Sequence, residues 1–371
     1  MTNNTNSRTG FNWLALYLVQ GLGNIGAHCL LKAFRSPANI FDAQLADLVS
    51  IDGINETVAR NIIGRKFALD PEEEMVRIER AEGRIIPFDS PEYPVLLKEI
   101  HDPPVILYAK GKTIPHDSAF VAIVGSRNPT HYGKKVAAEI ARDIAVAGLG
   151  VVSGMARGID GAAHWGCLKG KGFTMGVVGT GLDVIYPRTN KKLFEAVWEH
   201  GAIITEFPMR TPPEPRHFPI RNRIISGTAR GVVVVEATRR SGSLITGGQA
   251  LEQGRDVFAV PGSVFSPKSG GTHYLIKQGA KLVERAEDVI EEIYPGRFLG
   301  AVRSHGQEIK AHNEITELEE KTYELLTDYP KHIDELVREL ELDAGQLSAI
   351  LLNLELYGLV KQLPGKMFVR A

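Results

Sequence analysis

FVAIVGSR (120–127), GVVSGMARGID (150–160), TMGVVGTGLDVIYP (174–187) and GVVVVEATRRSGSLIT (231–246) share one arrangement. A short apolar run is followed by a turn of small residues, and a helical pattern resumes after it. Short runs rich in Val and Ile read as strands buried on both faces. Taken with the intervening helical periodicity, they predict strands over 120–124, 150–153, 174–178, 202–205, 231–235, 256–260 and 280–283. Helices are expected over 132–147, 159–168, 190–199, 221–227, 244–253 and 272–277. Two further short strands, 83–86 and 105–108, precede them. Alternating strands and helices give a doubly wound α/β fold, an extended Rossmann-like parallel sheet with helices on both faces. The small-residue turns then fall together on the carboxyl edge of the strands, where such folds bind ligands.

Those turns set the expected chemistry. Glycine allows close approach of backbone to ligand, and N–H groups at helix starts attract anions. Gly125, Ser126 and Arg127 form the first turn, with Arg127 able to fork two donors to a phosphate or stack on a base. Ser153, Gly154, Arg157 and Gly158 form a second anion-friendly turn. Asp160, just after it, reads as a helix-start charge or loop brace rather than a catalytic base. Tyr186 and Phe218 are loop aromatics on which unstacked bases can lie, or which simply pack locally. Arg221, Asn222 and Arg223, in FPIRNRIISG (218–227), are placed at a helix start and suited to phosphate, with Asn222 alternatively tying the loop. Ser241, Ser243 and Thr246 sit at another helix start, as caps or phosphate ligands.

Charge agrees with this. Across 119–285 Lys and Arg outnumber Asp and Glu by 22 to 12, although the whole chain carries a net charge of −1. Residues 1–118 are acidic on balance, and residues 315–371 have 6 basic against 11 acidic side chains. A basic middle attracts polyanions. With 371 residues, 43% hydrophobic and 23% charged, the chain has ordinary globular composition. No apolar run suits a membrane helix, and MTNNTNSRTG lacks the apolar core of a signal peptide. The two cysteines, Cys29 and Cys167, match no metal or redox spacing, so a reducing cytoplasm, no metal and no cofactor are expected. GxxxxGK[ST], GxSxG and HExxH are all absent.

Four segments follow: a helical domain over 1–80, the Rossmann-like domain over 81–295, a polar linker over 296–314, and a terminal domain over 315–371. In the first, Gly21-Leu-Gly23-Asn-Ile-Gly26 fits a dinucleotide fingerprint. The expected second strand and its acidic residue are missing, because 36–51 has helical spacing. GLGNIGAHCLL (21–31) instead pairs with GINETVARNII (53–63) as an internal repeat resembling tandem helix-hairpin-helix (SAM-like) motifs. An acidic balance and a single turn glycine in the second copy favour packing or partner docking over direct DNA binding. In the last segment, three amphipathic helices and a hairpin around Pro364-Gly365 have the order of a winged helix. Its third helix has no Lys or Arg, so a protein contact or structural role is expected over duplex binding.

VAIVGSRNPTHYG, VVSGMARGIDGAAHWGCL, GVVGTGLDVIYPRTNKKLF, FPIRNRIISGTARGVVVVEAT and SGSLITGGQALEQGRDVFAVPG, in this order, resemble the DNA-processing protein A (DprA, also called Smf) family. The resemblance implies a bacterial recombination mediator that binds and protects incoming single-stranded DNA during natural transformation. It implies help in loading RecA recombinase, and a homodimer formed through the Rossmann domain. Arg127 and the Phe218–Arg223 segment would line the DNA pocket, with glycines and serines of the other turns on phosphates. Two alternatives stand beside it. One is a nucleotide-processing enzyme of the lysine-decarboxylase-like phosphoribohydrolase type, with Glu252 after Gly247-Gly248 as its acid, although the PGGxGTxxE signature is absent. The other is a transcription regulator acting through the winged helix, which the acidic balance of 315–371 disfavours.

Overall fold

A computed structural model describes residues 3–294, 316–327 and 329–370. The expected linker over 296–314 lies outside the described residues. Contacts divide the chain into two units, 1–129 with 136–301, and 302–371 with the short segment 130–135.

The first unit opens with six helices: α1 (Asn3–Tyr17), α2 (Asn24–Phe34), α3 (Pro37–Phe41), α4 (Leu45–Val49), α5 (Glu56–Ile63) and α6 (Pro71–Arg80). The repeat is visible in them. Gly21 and Gly53 both take positive φ, 83° and 80°, at the turns before α2 and α5. That region is open to glycine at little cost. Gly23 and Asn55 are the corresponding N-caps. One and two turns later, Ala27 matches Ala59 and Leu30 matches Ile62, all four buried.

The sheet follows: β1 (Gly83–Pro87), β2 (Ile106–Gly111), β3 (Phe120–Val124), α7 (His131–Val146), β4 (Gly150–Ser153), α8 (Ile159–Lys169), β5 (Thr174–Val177), α9 (Lys191–His200), β6 (Ala202–Thr205), α10 (His217–Thr228), β7 (Gly231–Val234), α11 (Gly242–Glu252), β8 (Asp256–Ala259), α12 (Gly270–Lys277), β9 (Lys281–Leu282) and α13 (Ala286–Ile293). Strand order is β1-β2-β6-β5-β4-β3-β7-β8-β9. From β6 to β9 every pairing is parallel. The order reverses between β3 and β7, in register Val121↔Gly231. Strands β3 to β7 are wholly buried, as expected for a sheet covered on both faces. On one face Phe120, Ala122 and Val124 join Ile224, Ile225 and Val232 in a core.

Three expectations need correction. The sheet is not wholly parallel, because β2 runs antiparallel to β6 and β1 antiparallel to β2. Parallel neighbours need a crossover across a sheet face, and the β1–β2 connection carries only a short 3-10 helix over Val95–Glu99. Helix α10 begins at His217, four residues earlier than expected, so Arg-Asn-Arg lies in its second turn. Pro219 is tolerated there because N–H groups of a first turn have no intrahelical acceptor. A two-residue strand also precedes the second helix of the terminal domain.

That second unit comprises α14 (Glu317–Leu325), β10 (Lys331–His332), α15 (Ile333–Leu340), α16 (Ala344–Leu356), β11 (Val360–Leu363) and β12 (Met367–Arg370). Thr316 and Glu319 cap α14 reciprocally, and Asp343 caps α16 through the N–H groups of Gly345 and Gln346. Leu336, Leu347, Leu351 and Leu354 form its core with Val360 and Phe368. Helix α16 has no basic residue and exposes Leu352 and Leu356.

Candidate nucleic-acid interface

A cavity of about 610 Å³ opens at the carboxyl edge of the strands, between the loops that follow β3 and β7. This is the topological switch point, where two loops part and leave a crevice. Ten of the fifteen expected site residues line it: Gly125, Ser126, Arg127, Tyr186, Phe218, Arg221, Asn222, Ser241, Ser243 and Thr246.

Helix α10 supplies one wall. Phe218, Arg221, Asn222 and Ile225 all line the cavity. Their i, i+3, i+4, i+7 spacing puts them on one face of a helix. The exposed Arg127 lays its guanidinium over the Phe218 ring, 5.1 Å from the centroid. Tyr186 flanks the same ring at 5.9 Å with a tilt of 35°. The result is a cation and two aromatic faces at the mouth. Pro213, Pro215 and Pro219 add apolar wall.

Opposite, the start of α11 brings hydroxyls. Ser241 is the N-cap, and its Oγ lies 2.8 Å from that of Ser243. Thr246, one turn on, is nearly buried. This helix start brings hydroxyls to the positive end of a helix, a favourable environment for an anion.

The floor is a buried charge pair. Arg221 is 4% exposed and donates from Nη1 to the Val177 carbonyl at 2.7 Å. Burial pulls its guanidinium down to about 10, against the Asp160 carboxylate that supports its charge. It is a cation at neutral pH. Burial raises the Asp160 carboxyl, opposed by Arg221 and the Ala156 N–H. Beneath them His164 is fully buried and pushed down to about 3, so its ring is neutral and bonds Thr174 at 2.7 Å.

Five expected residues do not line the cavity, and physical reasons are evident. Ser153 is fully buried and donates from Oγ to the Ile123 carbonyl at 2.6 Å, tying β4 to β3. Gly154 is a space requirement: a Cβ there would fall on the Arg221 guanidinium and 2.6 Å from Asp160 Oδ2. Gly158 has φ 86°, and its Cβ would strike the Ser126 carbonyl and lie 2.7 Å from Pro129 Cδ. That proximity lets the Ile159 N–H donate to the Ser126 carbonyl at 3.1 Å, locking the first turn to the second. Arg157 is exposed on the second turn, outside the cavity lining. Arg223 points to the other side of α10, where it ion-pairs with Glu206 and lies 3.6 Å from Asp102. Two positions on a helix are about 200° apart, so Arg221 and Arg223 cannot share a face.

Residues the sequence reading passed over also matter. Asn190 donates to the carbonyls of Met155 and Ala156 at 3.0 and 3.1 Å, holding the second turn in shape. Arg239 and Arg240 are exposed on the turn that delivers Thr238 and Ser241 to the cavity. Their adjacency to SGSLIT was the signal available. Glu252 is exposed at the C-terminal end of α11, away from the end that lines the cavity. Among the described residues no group of His, Cys, Asp and Glu is placed to hold a metal, and no helix is long and apolar enough to cross a membrane.

Two family profiles match the chain: DNA recombination-mediator protein A over residues 84–294, and the DprA winged helix domain over residues 310–366. DNA processing protein DprA of Bacillus subtilis is 44% identical over 267 residues, covering 71% of this chain and 89% of its own. Protein Smf of Synechocystis is 34% identical over 389 residues, covering 96% and 98%. The X-ray structure of DNA processing protein A from Streptococcus pneumoniae superposes with TM-score 0.66 at 38% identity, covering 76% of this chain and 97% of that one. DNA processing protein A from Helicobacter pylori, whose structure was described for its single-stranded DNA binding mode, gives TM-score 0.52 at 28% identity, covering 57% and 95%. Two relatives matched over more than two thirds of this chain, and a profile spanning the sheet and its loops, place the chain in the DNA recombination-mediator protein A (DprA/Smf) family.

Proposed function

We propose that this mediator binds single-stranded DNA in the switch-point cavity, with one unstacked nucleotide between Arg127, Phe218 and Tyr186. The observation that carries the reading is the guanidinium over Phe218 at the mouth of a 610 Å³ cavity. A base must leave its helix to stack there, which selects single strands over duplex. Hydroxyls and N–H groups at the start of α11, with Arg127, Arg239 and Arg240, receive the phosphates. The single-stranded DNA binding described for the Helicobacter pylori relative supports this.

The same reading makes the chain a binding protein without cofactor or metal, acting in the cytoplasm. It protects incoming DNA in natural transformation and helps load RecA. The phosphoribohydrolase alternative finds no support in the exposed Glu252. A homodimer through the later half of the sheet fits the exposed Leu251, Tyr274 and Leu282 near the β9 edge. An edge strand with apolar neighbours is a surface that association protects. The test is RecA filament formation on single-stranded DNA with wild type and Arg127→Ala. Acceleration by wild type, lost in the variant, is expected; no acceleration by wild type overturns the RecA assignment.

A further inference from the structure

The back of α10 holds a second cavity of about 230 Å³, lined by Tyr17, Leu22, Asn24, Asp102, Glu206 and Arg223 among others. It lies where the hairpin between α1 and α2 meets the loop after β6. Tyr17 donates its hydroxyl to the Glu206 carbonyl at 2.5 Å. Asn24 Oδ1 accepts from the Val105 N–H at 3.2 Å, and His28 Nε2 lies 3.0 Å from the Pro103 carbonyl. Nearby, the buried Glu74 of α6 accepts from the Met209 N–H at 2.7 Å. The helical segment therefore grips both loops that flank the cavity.

Glu206 is the exceptional group in this seam. It is 6% exposed and pairs with Arg223 through Oε2, while Oε1 is sealed from solvent and, among the described residues, has no hydrogen bond of normal geometry, Asn24 being the neutral side chain near enough to act on the carboxyl. Arg223 is itself shared with Asp102. A buried carboxylate with one oxygen unsatisfied is costly, and a proton on that oxygen relieves the cost. We propose that Glu206 and Arg223 form a proton-dependent latch that sets how tightly the α1–α2 hairpin is held against α10.

The direction follows from burial. With the hairpin seated, desolvation raises the Glu206 carboxyl from 4.5 to about 7; Arg223 and Asn24 oppose the rise and Asp102 adds to it. With the hairpin displaced, the carboxyl meets water and returns to its ordinary value. The seated form thus binds the proton more tightly. Seating is strongest below about 4.5, weakens as pH rises through the window and levels off above about 7. Of the other groups facing the seam, burial raises Tyr17 and Tyr93, so both stay neutral, as does Tyr108. Glu74 is engaged by Arg77 and the Met209 N–H. His28 is lowered by burial and acts with the opposite sign, because charging it on acidification opposes seating. A comparison of wild type with an isosteric neutral variant cancels that contribution.

Hydrogen exchange of residues 14–27 in the full chain, corrected for intrinsic rates, reads the seating directly and needs no DNA. Relative to Glu206→Gln, wild-type protection is expected to fall by about tenfold or more between pH 5 and pH 7.5, at no more than about tenfold per unit for one proton. Coincident wild-type and Glu206→Gln profiles overturn the latch. In Arg223→Met the cation that favours the ionised carboxylate is gone, so the break moves to higher pH. A break left at the wild-type position overturns the role of Arg223.

Discussion

The guanidinium of Arg127, in the turn after β3, lies 5.1 Å from the ring centroid of Phe218, in the first turn of α10. The contact joins the loop after β3 to α10 in the lining of the switch-point cavity. A cation over an aromatic face is worth about 0.5–1 kcal/mol where exposed, too little to hold a fold. Both groups are therefore available to exchange this contact for a base and a phosphate.

Arg127→Ala and Arg223→Ala separate the two faces of α10. Arg127→Ala is expected to weaken oligo-dT binding by about tenfold and lower the salt slope by about 0.7, one phosphate contact for a single strand. Arg223→Ala leaves the salt slope unchanged and destabilises the fold, because it strands Glu206 in a buried site. Titrations across a salt series together with urea melts check both.

Phe218→Ala removes the platform. The loss expected is about 1–3 kcal/mol of binding, the usual value of one base on one aromatic ring. Phe218→Trp preserves a face and most of the affinity. Equal losses in the two variants would point to packing rather than stacking.

Gly154→Ala tests the floor. The added methyl collides with Arg221 and Asp160, and overpacking of this kind costs about 1–3 kcal/mol. Displacing Arg221 also disturbs its neighbour Asn222. Chemical denaturation should register the first effect, and weaker oligo-dT binding the second.

Stability against pH carries two opposed contributions. Glu206 is raised when folded, so its stabilising proton is present below about 4.5 and lost as pH rises through about 7. His164 is held neutral down to about 3, so stability is lost as pH falls below 6.5. Each has a limiting slope of about 1.4 kcal/mol per pH unit. Glu206→Gln removes the first alone. The variant should therefore gain on wild type as pH rises from about 4.5 to 7, with no further gain above; a pH-independent difference in denaturation midpoints would refute the Glu206 assignment.

The central strands β3 to β7 were legible because they are buried on both faces and largely apolar, as in Val121–Val124 and Gly231–Val234. The hairpin repeat was legible because Gly21 and Gly53 mark turns that need positive φ. The antiparallel edge was not, since nothing in β1 or β2 itself records direction. Helix α10 starts four residues before the expected Arg221, with Pro219 in a first turn that tolerates it. Arg221 and Arg223 fall inside the expected helix over 221–227, where two positions are about 200° apart, so their opposite facing was legible. Arg223 also finds its partners far away in sequence, at Asp102 and Glu206. Ser153 and Gly154 carried the composition of a phosphate turn but serve packing, a distinction set by β3 and α10 and absent from the local pattern.

The central claim, a single-stranded DNA site at the switch point, is tested most directly by fluorescence anisotropy of labelled oligo-dT against a matched duplex across a salt series. Wild type should prefer the single strand strongly, with binding that falls as salt rises, and Arg127→Ala should lose both the affinity and part of the slope. Equal binding of single strand and duplex, or an Arg127→Ala titration indistinguishable from wild type, would contradict it.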